Sequence, residues 1–552
     1  MRARLILPLV AGLLLSACAV VPTSGPIKPA PGLPAGASEP IVGVVARPPR
    51  EGMDPGAIVA GFLDALAAPS GNYAVARQYL TPQRANSWRP DISTTVYEGP
   101  GSLEQDGTHS VRLIANAAGS LDENLRWRAA ASGQLLNVDF GMVQVDHAWR
   151  ISSVPDGLLL TGGDISRSYR GFPIYFGAPD RSVLVADGAL VPVEATNTAT
   201  LITSLLLRGP AGWLAPSVVT GFPRGTALAL NSVPVVNGVA EIALTSQVLK
   251  ATSVERTLIA AQLATTLAAV PGVYEVQITV DGQPLAIPGV GTTFRIDRYL
   301  SLLPDTHAPD TATFASPTGA KYYRLGKIRA LSGAARAGIV SNPIMDAAHK
   351  LIAGLTKTGQ IVVAHVDGSR PRVLPSSSGM SGVEFDRNDN LWALRSGALY
   401  SWDLRGQSIN LAMPAGVRLE RFALAPDGVR IAVSQLTAGT TTLQLGAIVR
   451  RADGFHLLGL HGVARTAVSP SDVSWSSSLM VAALVSAPST SLLNINVISG
   501  ENSVLPVVPT AIDVTASAQG PILFGTSNGN IYETSPAFVQ LLTVGSQPSY
   551  AG

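Results

Sequence analysis

The sequence predicts a multidomain protein in which two α+β domains are followed by an all-β propeller. The chain has 552 residues, and at roughly 100 to 200 residues per domain this length suggests three or four domains. Helical and strand-like patterns mix before residue 300, whereas afterwards short strands recur about every 40 residues, the period of four-stranded propeller blades. A single cysteine excludes intramolecular disulfides, so hydrophobic cores must hold these domains together.

The N-terminus has the order of a secretory signal peptide over residues 1–17. Arg2 and Arg4 precede an apolar run from Leu5 to Leu15, and small residues lead to a cleavage point between Ala17 and Cys18. The apolar run is too short for a transmembrane helix, which needs about 20 residues. We therefore expect the segment to export the chain and then to be removed.

Cys18 is the predicted lipidation site. It is the only cysteine, and Leu15-Ser16-Ala17-Cys18 resembles the lipobox of bacterial lipoproteins, whose cysteine is diacylated, with chains such as palmitate, and becomes the mature N-terminus. Two acyl chains hold a protein on a membrane more firmly than one. The sequence thus predicts a lipid anchor on the outer, extracytoplasmic face of the cell membrane, followed by a proline-rich tether over residues 18–53.

The first α+β domain is predicted over residues 54–165. Asp54-Pro55 is a typical helix start, and apolar residues from Ile58 to Leu66 fall on one helical face. A second helix is expected to stop before Thr81-Pro82, and strand-like runs follow. The predicted strands are 111–114, 135–145 and 149–154.

The second α+β domain is predicted over residues 166–298. The predicted strands are 172–176, 183–185, 191–194 and 273–280, with a short helix over 201–207. A longer helix begins at Thr252, where Glu255 completes a capping box, and runs towards Pro271. Asp281-Gly282 is a typical hairpin turn.

Residues 299–552 are predicted to form a β-propeller of about five or six blades. Five strand-rich units can be distinguished, and either Phe314 or residues 322–331 could belong to another.

No catalytic residue, metal site or cofactor is predicted. His456 and His461 are five residues apart, which does not match the i, i+4 pair of zinc peptidases. Residues 525–529 match G-x-S-x-G formally, yet Asn528-Gly529 between strand-like runs indicates a hairpin rather than the strand-to-helix elbow of hydrolases. Residues 289–291 lack the third glycine of a dinucleotide-binding loop.

The propeller region contains three acids that could be imagined as supplying the acid and the base of a glycosidase: Glu384, Asp386 and Asp389. Because residues 386–390 lie between two strands, we interpret them instead as a solvated turn. Five tryptophans in strand patterns are interpreted as core or blade-packing residues: Trp127, Trp149, Trp392, Trp402 and Trp475. A net charge of +2 without a basic block argues against nucleic-acid binding.

The chain resembles the LpqB family of actinobacterial lipoproteins. The segments that carry the resemblance are 15–18, 190–194, 205–210, 222–226 and the helix from Thr252. Residues 190–282 are similar to a GerMN domain and residues 54–160, more loosely, to an NTF2-like cone.

The resemblance implies that the protein contacts the extracytoplasmic part of the sensor histidine kinase MtrB and influences two-component signalling in envelope homeostasis and cell division. It supplies no catalytic residues. The residues alone leave two alternatives open, a module that binds peptidoglycan and a wall hydrolase, both without a kinase partner.

Overall fold

The computed structural model describes residues 46–193, 195–486 and 488–551. The predicted signal peptide, the cleavage point at Ala17 and Cys18, the lipidation of Cys18 and most of the tether lie outside the described residues. All described residues belong to one compact unit. Within the described ranges, no helix has the length and apolarity needed to cross a membrane.

The first α+β domain packs helices against a six-stranded sheet. Its helices are α1 (Pro55–Ala65), α2 (Ser70–Gln78), α3 (Pro82–Ser87) and α4 (Gly162–Ser168). Its strands are β1 (Thr94–Asp106), β2 (Ser110–Leu121), β3 (Trp127–Ala129), β4 (Leu135–Val145), β5 (Ala148–Ser153) and β6 (Leu158–Thr161), in the order β5-β4-β2-β1-β6 with β3 on β2. Phe62 of α1 packs edge-on against Trp88 and Phe140, which closes the core.

The helix boundaries predicted for this domain agree with the structure, but one further helix was not predicted. Asp54 accepts a hydrogen bond from the Ala57 backbone N–H at 2.8 Å, as a helix cap does. As predicted, α2 ends before Thr81-Pro82, at Gln78. The same dipeptide also begins α3, which was not predicted, because the Thr81 hydroxyl accepts from the Arg84 N–H at 3.3 Å and proline suits the first helical turn. The long strand β1 was not predicted.

The second α+β domain contains the hairpin of β7 (Tyr169–Gly177) and β8 (Leu184–Pro192) and a second sheet. The other strands are β9 (Val235–Val236), β10 (Val239–Leu244), β11 (Glu275–Val280), β12 (Gln283–Pro284) and β13 (Thr293–Arg295), and the helices are α5 (Thr198–Arg208) and α6 (Ser253–Leu267). The sheet order is β12-β11-β10-β9, with β13 also on β11. The Thr252–Glu255 capping box is present, and α6 is buried continuously from Leu258 to Leu267.

One strand prediction in this domain needs correction. Residues 183–185 and 191–194 were predicted as separate strands, but β8 runs through Asp187-Gly188 and pairs with β7 along its whole length. The break in hydrophobicity arises because Asp187 is buried in polar contacts, accepting from Arg126 and from the Ala211 N–H.

The propeller has six blades, so the predicted fold class is confirmed. The first blade contains β14 (Thr311–Ala315), β15 (Lys321–Arg324) and β16 (Lys327–Ala330). The short helix α7 (Ser332–Arg336) leads to the second blade, which contains β17 (Ser341–Met345), β18 (Leu351–Leu355), β19 (Ile361–His365) and β20 (Arg372–Val373). The third blade contains β21 (Ser381–Phe385), β22 (Leu391–Arg395), β23 (Ala398–Trp402) and β24 (Ser408–Ile409).

The fourth blade is β25 (Leu411–Ala412), β26 (Arg418–Leu424), β27 (Arg430–Thr437), β28 (Thr440–Arg451), β29 (Gly454–Gly462). The fifth and sixth are β30 (Asp472–Ser477), β31 (Met480–Val485), β32 (Ser491–Asn496), β33 (Asn502–Leu505) and β34 (Ala511–Ser517), β35 (Gly520–Thr526), β36 (Asn530–Ser535), β37 (Phe538–Val544). The last strand, β38 (Ser546–Tyr550), pairs with β14 and closes the ring. Both Phe314 and residues 322–331 therefore lie in or beside this closing blade.

Candidate functional site: the channel of the propeller

A channel runs along the propeller axis between the innermost strand of each blade. These strands are β17, β21, β26, β30, β34 and β38. The channel contains two cavities, of about 440 Å³ and about 230 Å³. Glu384, Ser474, Thr515 and Ser549 line both cavities, so they surround the point where the two meet.

The two cavities differ in their surroundings. The lining of the larger cavity belongs wholly to the propeller. The smaller cavity is also lined by Val183 of the second α+β domain and by the connector that follows that domain, including Pro304, His307 and Pro309. The connector is fixed in place because Asp305 accepts hydrogen bonds from the backbone N–H and the hydroxyl of Ser478. One side of the channel is therefore covered by the rest of the molecule.

Four carboxyl groups line the larger cavity: the exposed Glu420 and the partly buried Glu384, Asp472 and Asp513. Glu384 accepts from the Leu424 N–H on the next inner strand at 2.9 Å. Asp472 accepts from the Val514 N–H, again one blade further, at 2.8 Å. These two carboxyl groups therefore join the inner strands of neighbouring blades.

Burial shifts the pKa values of Glu384, Asp472 and Asp513. It raises the pKa of Glu384 to about 8, with the charge of Asp472 adding to the effect and the Leu424 N–H opposing it. Burial also raises the pKa of Asp472 to about 7, opposed by the Val514 N–H and by Arg421, whose Nε lies 3.5 Å from Oδ1. The pKa of Asp513 is raised for the same reason. At neutral pH, most molecules therefore keep Glu384 protonated.

Asp386 does not share this channel chemistry, and its interpretation as part of a solvated turn is wrong. Its carboxylate is buried, 2% exposed, and accepts from the Asn388 and Asn390 N–H groups, from the Trp392 indole at 3.0 Å and from Arg450 at 2.6 Å. The turn itself is present. A carboxylate with all these donors stabilises the hairpin and has little capacity left for acid–base chemistry.

The two neighbouring histidines and the segment 525–529 do not form the sites that their sequence patterns could suggest. His456 pairs with Asp453 at 3.0 Å, and His461 lies against Trp213 instead. Among the residues that the structure describes, no group of three or more His, Cys, Asp or Glu could hold a metal ion. The segment 525–529 is a strand end and a turn between β35 and β36, and Gly529 adopts φ 77°. The strand-to-helix elbow of a serine hydrolase is thus not formed there.

The propeller tryptophans pack as predicted. Trp392, Trp402 and Trp475 are buried, and each indole N–H has an acceptor: Asp386, the Pro375 carbonyl and the Ala423 carbonyl, respectively.

Sequence reasoning missed Asp472, Asp513 and Arg421. A usable signal existed, because Glu384, Asp472 and Asp513 each lie in the first strand of a strand-rich unit. Polar residues recurring in strands that should face the propeller axis indicate a lined channel.

Comparison with known families decides the identity of the chain. The model described as "Lipoprotein LpqB, N-terminal domain" matches residues 48–166, and the model described as "Lipoprotein LpqB beta-propeller domain" matches residues 323–551. Between them, residues 173–286 match the Germane model, described as "Sporulation and spore germination". The chain belongs to the LpqB lipoprotein family.

Individual relatives cover most of the chain. Lipoprotein LpqB of Thermobifida fusca is 26% identical, over 98% of this chain and 97% of its own. Lipoprotein LpqB of Cutibacterium acnes is 28% identical, over 84% and 82%. Among solved structures, TolB from Acinetobacter baumannii is similar to this chain with a TM-score of 0.34 and 12% identity, covering 58% of this chain and 88% of TolB.

Proposed function

We propose that this protein is a membrane-anchored extracytoplasmic lipoprotein that binds and modulates a two-component sensor kinase of the MtrB type, in envelope homeostasis and cell division. The observation that carries the proposal is the succession of LpqB N-terminal, Germane and LpqB propeller segments along one chain. The LpqB resemblance implies the kinase contact. The binding function is compatible with a propeller whose larger channel cavity is lined by its own residues alone.

A membrane anchor makes such a contact physically reasonable. Cys18, followed by the proline-rich residues 19–53, would hold the folded body close to the membrane. If the kinase is fixed in the same membrane, the second contact becomes effectively intramolecular, and a weak affinity in solution suffices. The anchor on the outer face of the cell membrane is part of the proposal.

Co-purification tests the proposal. The full-length lipidated protein and the extracytoplasmic domain of the kinase are combined in detergent micelles, and the bound fraction is measured. We expect capture of the kinase domain, and we expect none when an unrelated lipoprotein with the same anchor replaces this chain. Absence of binding, together with unchanged phosphorylation of the response regulator, would lead us to abandon the kinase role.

A wall hydrolase is a second candidate because Glu384 is a carboxyl group that keeps its proton at neutral pH inside a cavity, as catalytic acids do. Incubation of purified peptidoglycan with the protein, and separately with the Glu384→Gln variant, tests this hydrolase function. Peptidoglycan left intact by the unaltered protein would rule it out. Retention on wall material, compared with retention on membrane extracts, separates a wall-binding module from the kinase partner.

A further inference from the structure

Both α+β domains contact the propeller at the end of β29. Gly459 adopts φ 68°, and a Cβ there would lie 2.7 Å from the Cβ of Trp213 in the second α+β domain. At Gly462, a Cβ would lie 3.1 Å from Ala129 of the first α+β domain. We call residues 459–463 with their partners Trp127–Ala129 and Trp213 the three-domain junction.

His461 lies at the centre of the three-domain junction. Its ring centroid is 4.6 Å from that of Trp213, and its Nδ1 is 2.8 Å from the Gly459 carbonyl oxygen. The backbone of Leu445 provides a second hydrogen-bond partner. The imidazole is thus held by the propeller and contacts the second α+β domain.

Charged groups line the two spaces that adjoin this ring. Arg128 of β3 and His461 both line a cavity of about 300 Å³ and a groove of about 510 Å³, so they stand between the two. The other charged groups lining these spaces are Asp122, Arg126, Asp187, Arg208 and Arg430 in the cavity and Glu98 and Arg465 in the groove.

The balance of these groups favours a neutral ring. Burial lowers the pKa of His461 most, and the positive charge of Arg128 lowers it further. The Gly459 carbonyl, Asp187 and the Leu445 backbone act in the opposite direction. The Asp187 carboxylate is already engaged by Arg126 at 3.1 Å and by the Ala211 N–H at 2.7 Å, so its charge is largely compensated.

We propose that His461 makes the three-domain junction acid-sensitive: the neutral ring packs against Trp213, and the protonated ring is repelled by the positive charge of Arg128 and takes up water. Protonation then loosens the contact of both α+β domains with β29 and joins the cavity to the groove. Because the folded protein disfavours the charged ring, the stabilising contribution of His461 is present above the ordinary histidine pKa of about 6.5 and is lost as the pH falls through the lower pKa of the folded state.

Hydrogen exchange of the full chain tests the proposal. Protection of the segments 211–217 and 457–463 is measured between pH 4.5 and 8, corrected for the intrinsic exchange rate. We expect the protection factor to fall as acid is added, with a midpoint below pH 6.5. The total fall should be about tenfold for each unit by which the folded protein lowers the pKa of His461. His461→Gln should remove the pH dependence, whereas His456→Gln, on the same strand and paired with Asp453, should retain it.

Arg128→Gln gives a second measurement that does not depend on altering the histidine. Removing the guanidinium should move the midpoint to higher pH, because one of the groups that disfavours the imidazolium is lost. The proposal is overturned if protection falls equally in His461→Gln, or if the midpoint in Arg128→Gln does not move. Should His461→Gln fail to fold, the Arg128→Gln midpoint alone decides.

Discussion

The indole Nε1 of Trp127 donates a 2.8 Å hydrogen bond to the carbonyl oxygen of Val463, across 336 positions of sequence. The guanidinium of Arg465 lies 5.8 Å from the Trp127 ring and donates to the Ser166 hydroxyl at 2.8 Å. These contacts fix the first α+β domain on the fourth blade and the loop after it. The molecule therefore presents its surfaces in a defined geometry, which suits a protein that binds a partner.

Trp127→Phe should weaken this domain contact. The substitution leaves the buried Val463 carbonyl without its donor, which costs about 1 to 3 kcal/mol of unfolding free energy. Denaturant titration and limited proteolysis measure the effect. Trp149→Phe is the matched control, since Trp149 packs on His109 within its own domain. Equal losses of stability in the two variants would contradict the account of the junction.

Asp386→Asn should destabilise the propeller, because it takes a buried acceptor away from Arg450 and the Trp392 indole. Loss of one partner of a buried ion pair costs about 3 to 5 kcal/mol. Asp389→Asn is the control: Asp389 adopts φ 61°, a conformation that asparagine tolerates well. Thermal unfolding compares the two, and an Asp386→Asn protein as stable as the control would refute the structural role.

The channel predicts an unusual pH dependence of stability. Glu384 has an ordinary pKa of 4.5 and a folded-state pKa of about 8. The folded protein therefore binds more protons than the unfolded chain in this window, and the contribution of Glu384 to stability declines as the pH rises from 4.5 to 8. Glu384→Gln should flatten this decline in a series of denaturant titrations. If stability declines with pH as steeply or more steeply in this variant, the pKa of Glu384 is not raised in the folded protein.

Removal of the closing strand should open the ring. Deleting residues 546–552 exposes the edge of β14, which pairs with β38 through Ala312–Tyr550 and Thr313–Ser549. We expect loss of cooperative unfolding and aggregation on size-exclusion chromatography, as for an uncovered sheet edge. Leu541→Ser in the outermost strand β37, where the side chain is already exposed, should change little. A deletion variant as monomeric and stable as this control would argue against the closure.

The order of the folded parts could be predicted from sequence because it depends on local patterns. Three such patterns depend only on neighbouring residues and can be recognised in a few positions: Asp54-Pro55, the Thr252–Glu255 capping box and the Asp281-Gly282 turn. The blade that closes the ring was harder to predict, since it joins β14 to β38 at the far end of the propeller region.

The candidate site was less predictable for the same reason. Asp386 looks solvated in the sequence, but its buried carboxylate is paired with Arg450 from the neighbouring blade, a contact that local sequence does not reveal. Asp472 and Asp513 gain their raised pKa values from the channel, a property of the closed ring rather than of any segment. His461 acquires its setting from both α+β domains.

The central claim is that a lipid-anchored protein modulates a sensor kinase, and the phosphorylated fraction of the response regulator tests it most directly. The kinase is reconstituted in liposomes with either the lipidated full-length protein or Cys18→Ala, whose domains should fold normally because residue 18 precedes them. We predict a clear change in regulator phosphorylation with the lipidated protein and a much weaker change with Cys18→Ala. Identical phosphorylation with the lipidated protein, with Cys18→Ala and with neither would contradict the claim.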